Sequence, residues 1–206
     1  MLLPELRARS AFSFLEGASL PETLIEQAAK LEIPAVALLD RDALSGAVRF
    51  HKEAKKHGVR AWIGAEVTAA EGFRYPLIAA TREGYQNLCR LITRVKLQRR
   101  AASFSDIEEY APGLVCLASD PLSWALEQGA APAMADKLRG VFNNGRVAID
   151  IQRHFLREEE ARNQTFLQIG LQMGLPVVAA NGVSHATRED RALMDVLTCV
   201  RHQPSL

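Results

Sequence analysis

The chain has 206 residues, 48% of them hydrophobic and 24% charged, with 25 lysines and arginines against 24 aspartates and glutamates. That balance belongs to a globular protein large enough to bury a full core without covalent staples, and a net charge of +1 gives no whole-molecule electrostatic footprint for nucleic acid. Three scattered cysteines (Cys89, Cys116, Cys199) exclude a disulfide framework or thiolate zinc site, and no apolar run approaches the ~18 residues of a membrane span. The start Met1-Leu2-Leu3-Pro4-Glu5 has neither charged lead nor signal core, so a soluble, cytoplasmic protein with no membrane partner is expected.

Leu6 and Ala8 sit in a brief strand-like stretch. Ser19-Leu20-Pro21-Glu22 then reads as a capping box, with proline tolerated in the first turn. Leu24, Ile25, Ala28, Ala29 and Leu31 follow at helical spacing, and the run Ala35-Val36-Ala37-Leu38-Leu39 has the continuous apolarity of a strand buried on both faces. A helix through Leu44, Ala47, Val48, Phe50 and Ala54 stops near Gly58. Further strands are expected over 59–67, 75–80, 113–117, 147–151 and 176–180, and helices over 83–98, 121–128, 132–142 and 156–173. Seven strands, most followed by a helix, imply parallel pairing and a closed barrel, with an open sheet as the alternative. The helical stretch 188–200 runs into Arg201-His202-Gln203-Pro204-Ser205-Leu206 with no closing element, the pattern of a chain cut from something longer.

In parallel α/β barrels the working residues lie at the C-terminal ends of strands. Those ends collect Arg7, Arg9 and Ser10; Asp40, Arg41 and Asp42; Glu66; Asp120; Asp150 and His154; and Asn181, Ser184 and His185. Acids and histidines drawn from distant strands suit a metal-dependent hydrolase, although Asp40 serves equally as a helix N-cap and His154 and His185 read as solvated loop residues before they read as ligands. The stretch holding Arg90, Arg94, Lys96, Arg99 and Arg100 has no acid among residues 90–100 and reads as a solvated helix end or as a nucleic-acid or partner patch.

Residues 5–19, Leu39-Asp40-Arg41-Asp42, Gly46–Phe50, Ile63-Gly64-Ala65-Glu66-Val67, 83–91, Asp150-Ile151-Gln152-Arg153-His154, Asn181-Gly182-Val183-Ser184-His185 and 195–202 together resemble the polymerase-and-histidinol-phosphatase (PHP) domain of bacterial C-family DNA polymerases. Arg41 and Gln152-Arg153-His154 are similar to the error-prone branch. The resemblance implies an α/β fold, a distorted (β/α)7 TIM-like barrel, in one domain over 1–206 at the N-terminal part of a longer polymerase chain. It also implies a cluster of zinc or manganese ions in catalytic members. Here the opening histidine pair falls on Arg7 and Arg9, the next histidine on Arg41 beside a retained Asp40, and another on Arg74; the closing aspartate and histidine fall on Gly182 and Ser184, while Glu66 and His154 remain. A guanidinium has no lone pair to donate to a metal.

The expectation is therefore an ion-pair network, with Arg7, Arg9 and Arg41 around Asp40 and Glu66, no metal and no catalytic residue. Such a domain would be a structural or docking part of an error-prone, repair-associated DNA polymerase, its partners the remainder of that chain, DNA and other damage-response proteins. Two alternatives stand beside it. One is a phosphoesterase with a reduced zinc or manganese site at Asp40, Glu66, Asp120, Asp150, His154 and His185. The other is a phosphate or nucleic-acid binding module at Arg7, Arg9 and Arg41.

Overall fold

A computed structural model describes residues 3–142 and 145–202; the tail over 203–206 and the first two residues lie outside it. Its strands are β1 (Glu5–Ala8), β2 (Ala35–Arg41), β3 (Arg60–Thr68), β4 (Arg74–Ala79), β5 (Leu114–Leu117), β6 (Val147–Ile151) and β7 (Val177–Ala179). They form one seven-stranded sheet in chain order, β1 through β7, rolled into a nearly closed barrel. The helices are α1 (Pro21–Lys30), α2 (Ala47–His57), α3 (Arg82–Leu97), α4 (Phe104–Tyr110), α5 (Ser119–Glu127), α6 (Ala131–Val141), α7 (Arg157–Met173) and α8 (Asp190–His202).

The continuous apolarity of β2 follows from cover on both faces. Val36 and Leu38 pack with Leu24, Ile25 and Phe50 beneath α1 and α2, whereas Ala37 and Leu39 meet Ile78, Leu117 and Ala148 in a separate cluster joined by Leu6, Trp62 and Val178. That second cluster fills the barrel. Because side chains alternate with a period of two, Arg41 shares a face with Leu39, Glu66 with Trp62, Arg74 with Ile78 and Asp150 with Ala148. Charged residues at one end of these strands thus project over an apolar plug.

Three sequence expectations need correction. Pairing is not parallel throughout: β4 runs antiparallel to both β3 and β5. Residues 69–73 join β3 to β4, far too short for the dozen or so residues of a parallel crossover, so the chain makes a hairpin with Gly72 at φ +95°. A helix also forms at α4, started by a capping box between Ser103 and Asp106. The box expected at Ser19 does not form; Leu20 is the N-cap residue of α1, and the Ser19 hydroxyl instead donates to Asp190 (2.6 Å) and accepts from the Ala186 amide (2.7 Å), tying the start of α8 to the loop after β1.

Between β7 and β1 the closure is made partly by a side chain. The buried Glu5 carboxylate accepts from the Arg7 amide (2.7 Å), the Asn181 amide (3.0 Å) and Asn181 Nδ2 (2.9 Å), and the Arg9 amide donates to the Val183 carbonyl (2.8 Å). A carboxylate meeting several N–H groups is well satisfied, which lets an acid sit in a seam where ladder bonds are missing. Among the described residues no helix is long and apolar enough to cross a membrane.

Candidate functional site: an arginine–carboxylate cluster at the barrel mouth

Arg7, at the end of β1, lies at the centre of the mouth with only 2% of its surface exposed. Its Nε and Nη2 donate to Glu66 Oε1 (3.2 and 2.7 Å), Nη2 also to Asp120 Oδ2 (3.1 Å), and Nη1 to Ser119 Oγ, Asp120 Oδ1 and Asp150 Oδ2 (3.1, 3.0 and 3.0 Å). All five of its N–H groups are used. Burial alone would lower the Arg7 pKa, but the charges of Glu66, Asp120 and Asp150 outweigh it and hold the guanidinium well above its ordinary value.

Glu66, fully buried, receives three guanidinium groups. Besides Arg7, Arg9 binds it in a fork (Nε to Oε2, 3.0 Å; Nη2 to Oε1, 3.0 Å) and Arg74 Nη1 reaches Oε2 at 3.1 Å. Burial would raise the Glu66 pKa; the charges of Arg7 and Arg9 and their hydrogen bonds more than reverse this and bring it down to about 2. Arg74 comes to this end of the barrel because β4 is antiparallel, so its first residue stands beside the last residues of β3, paired with Thr68.

A second centre adjoins the first. Arg74 grips Glu16 in a fork (2.6 and 2.8 Å), Arg41 donates to the same carboxylate, and Arg201 from the last turn of α8 lies 3.8 Å away. Burial would raise the Glu16 pKa, yet the hydrogen bonds and charge of Arg74, with Arg41, keep it below the usual glutamate range. Sequence reasoning did not single out Glu16. The signal was a polar residue at every third position (Ser10, Ser13, Glu16) through an otherwise apolar loop; all three are buried, while Phe12 and Phe14 of the same loop are 38% and 71% exposed.

The cluster departs from expectation at Asp40. No arginine pairs with this buried acid. It accepts from the Ser10 amide (2.8 Å), Ser10 Oγ (2.8 Å) and Ser13 Oγ (2.7 Å), so neutral donors of one loop satisfy it. Nor does the trio Arg7, Arg9 and Arg41 present itself as a phosphate cradle, since Arg7 is sealed and saturated.

Past the ends of β6 and β7 the polar side chains make contacts of their own. His154 Nδ1 faces Glu159 Oε1 at 2.6 Å and Nε2 faces the Asn181 carbonyl at 3.0 Å. Two acceptors require two N–H donors, hence an imidazolium, and the Glu159 hydrogen bond followed by that to Asn181 raises the His154 pKa. Gly182 has φ +66° with the Gln152 side chain against it, Ser184 Oγ contacts His185 Nδ1 at 3.3 Å, and His185 lines an apolar cleft with Leu24, Ala28 and Val183. Of the six residues of the reduced metal set, only Glu66, Asp120 and Asp150 come together, and Arg7 joins them.

As donors to a metal these residues fit poorly. The guanidinium nitrogens have no lone pair, the Glu66, Asp120 and Asp150 oxygens accept from arginine, and both nitrogens of His154 serve as donors. Among the described residues no group of three or more histidine, cysteine, aspartate or glutamate side chains is arranged to hold a metal ion.

A family model for the PHP domain matches residues 5–154. The chain belongs to the PHP family. Error-prone DNA polymerases from Anaeromyxobacter sp. (strain K) and Symbiobacterium thermophilum are 39% and 34% identical to this PHP chain over 96% and 98% of its length. It covers 18% and 21% of those proteins, so it spans about a fifth of the length of the curated relatives it matches. Among solved structures, an amidohydrolase from Chromobacterium violaceum with bound sulfate and no metal superposes with a TM-score of 0.60 at 14% identity, covering 91% of this chain and 89% of that one. A protein from Bifidobacterium adolescentis described as a metal-dependent phosphoesterase gives 0.51 at 12% identity, covering 95% and 96%. At those identities the likeness is one of fold, the PHP barrel.

Proposed function

We propose that this is the PHP domain of an error-prone DNA polymerase, formed over residues 1–206 at the N-terminal part of a longer chain, and that it works as a structural and docking module. In this reading arginine–carboxylate pairs stand where catalytic relatives hold metal ions. The observation that carries it is Arg7: a fully used guanidinium holding Glu66, Asp120 and Asp150, three acids a metal centre would need free. The polymerase relatives supply the wider context, in which the domain's partners are the remainder of that chain, with DNA and other damage-response proteins beyond it, in the cytoplasm.

Buried ion pairs of this kind are weak evidence for net stability but strong evidence for geometry, because each fork fixes two strand ends relative to one another. Arg7 links β1 to β3, α5 and β6; Arg74 links β4 to β3 and to the loop after β1. The mouth is thereby cross-braced, as a module that transmits load to its neighbours requires.

The test is elemental analysis of protein purified with zinc and manganese supplied, paired with a phosphoesterase assay. The expected result is less than about 0.1 ion per chain and no turnover; stoichiometric metal with metal-dependent hydrolysis would overturn the reading.

A further inference from the structure

We propose that the outward face of α3, with the groove it forms against α4, is a binding surface for single-stranded nucleic acid, held through its phosphate backbone. This goes beyond the structural role above and does not depend on it.

The chain carries a net charge of only +1, yet residues 90–100 hold five cations and no acid. Within a helix such a run is not neutral: Arg90 and Arg94 are a like-charge pair at i,i+4, which costs a few tenths of a kcal/mol, and no acid on this stretch offsets it. The structure shows which of these cations serve the fold. Arg94 pairs with Glu109 (2.8 Å) and stacks on the Tyr110 ring 4.7 Å from its centroid; Arg100 pairs with Asp106 (2.9 Å), the residue that caps α4. Those two fasten α4 to α3.

Arg90, Lys96 and Arg99 do not. Among the described residues none has an ionic partner; Arg90 has only a long contact of 3.4 Å to the amide oxygen of Asn87. All three are exposed, Arg90 and Lys96 on α3 and Arg99 just past its C-terminal end. The two helices carry four acids: Asp106 and Glu109 are taken up by Arg100 and Arg94, while Glu83, in the first turn of α3, and Glu108 on α4 are exposed.

An open groove of about 460 Å³ lies against this part of α3, lined by Arg90 and Arg94 with Thr93, Leu97, Gln98 and Tyr110, while Lys96 and Arg99 neighbour those residues in the chain without lining it. Leu97, which lines the groove, is 79% exposed. Cations in and beside a groove lined by an aromatic ring and an apolar side chain match what single strands need: charge for the phosphates and an apolar surface for the bases. An acidic peptide would use the cations but not the groove floor, and a duplex would present no bases to it.

The experiment is fluorescence anisotropy of a labelled twelve-nucleotide thymidine oligomer titrated with the chain at several salt concentrations. The expected result is saturable binding tighter than about 0.1 mM, with a log–log salt slope near 2 for three cations. The variant Arg90→Ala/Lys96→Ala/Arg99→Ala should weaken binding at least about tenfold and flatten that slope. Leu97→Glu, which fills the groove with charge, should weaken it as well. All four positions are exposed, so an unchanged melting temperature separates lost binding from misfolding. Absence of saturable binding, binding unaltered in the triple variant, or a poly-glutamate peptide bound as tightly as the oligomer would each overturn the proposal, the last in favour of an acidic protein partner.

Discussion

Glu66 and Asp40 are buried acids on adjacent strands, held in opposite ways. Glu66 is surrounded by the guanidinium groups of Arg7, Arg9 and Arg74, whereas Asp40 takes two serine hydroxyls and a backbone amide from the loop after β1. The first arrangement depends on charge and joins three strands, β1, β3 and β4; the second depends on the shape of one loop. Removing a charge should therefore be costly at Glu66 and mild at Asp40, although both are almost fully buried.

The sharpest break in that comparison is Glu66→Ala. It removes a fully buried carboxylate shared by three guanidinium groups, leaving Arg9 without an acid while Arg7 keeps Asp120 and Asp150 and Arg74 keeps Glu16. Breaking such a buried pair is worth about 3–5 kcal/mol, and denaturant unfolding should show it. A loss below about 1 kcal/mol would mean that the guanidinium groups swing to water and that the cluster is not the brace described here. Acid titration tests the same charge in the wild-type chain. The folded pKa of Glu66 is about 2 against an ordinary 4.5. The unfolded chain therefore takes up this proton first as pH falls, and the stabilisation, complete above about pH 4.5, drains away down to about pH 2. By linkage the contribution is about 3 kcal/mol, and the difference between wild type and Glu66→Ala should shrink by that amount over the window.

Asp40→Asn should cost less, about 1 kcal/mol, since the amide oxygen still accepts from the Ser10 backbone and a rotated serine hydroxyl can accept from Nδ2. If it destabilises as much as Glu66→Gln, Asp40 carries charge the hydrogen bonds do not reveal.

A smaller effect is expected at His154. Its folded pKa is raised, chiefly by the hydrogen bond to Glu159, so its contribution is complete below the ordinary value of 6.5 and fades as pH rises through the folded value. The side chain is half exposed, which keeps the effect small. Nuclear magnetic resonance titration of Glu159→Gln should show the His154 pKa falling toward 6.5; an unmoved titration would show that the Asn181 carbonyl alone holds the proton.

Much of the architecture was legible in the sequence, for reasons these contrasts make plain. Strands such as 35–39 announce themselves by apolarity that only two-sided burial tolerates, and the helices of the outer layer by their spacing. Strand direction was less legible. The parallel reading overlooked the five residues between β3 and β4, and with them the reason Arg74 reaches the mouth. The seven-residue helix α4 was too short for periodicity to show, although Ser103 and Asp106 carried a capping signal. At the site, Arg7, Arg9, Glu66 and Arg74 converge because residues at one end of a barrel must. The partner of Arg41, by contrast, is a glutamate in an irregular loop, where the only pointer is the three-residue spacing of Ser10, Ser13 and Glu16, which belongs to neither helix nor strand.

The smallest gain, one of activity, is expected from placing histidine and aspartate where the family resemblance puts metal ligands. In a variant with Arg7, Arg9 and Arg41 changed to histidine, Gly182→Asp and Ser184→His, the nominal donor set is complete. Its surroundings are not. Gly182 stands at φ +66°, where an L side chain costs about 1 kcal/mol, and an added Cβ would lie 2.6 Å from Gln152 Oε1, so the new aspartate arrives strained and displaces its neighbour. His154 keeps both nitrogens turned to Glu159 and Asn181. The new histidines at positions 7 and 9 would stand among carboxylates that no longer have a cation, and each ligating imidazole lacks an arranged acceptor for its second nitrogen, a defect worth about 10–100-fold in affinity. Calorimetric titration with manganese should therefore show weak binding, and a generic phosphodiester should turn over at no more than a trace rate. Brisk metal-dependent hydrolysis by this variant would show that the barrel can position metal ligands, and that the arginines alone keep the mouth from chemistry.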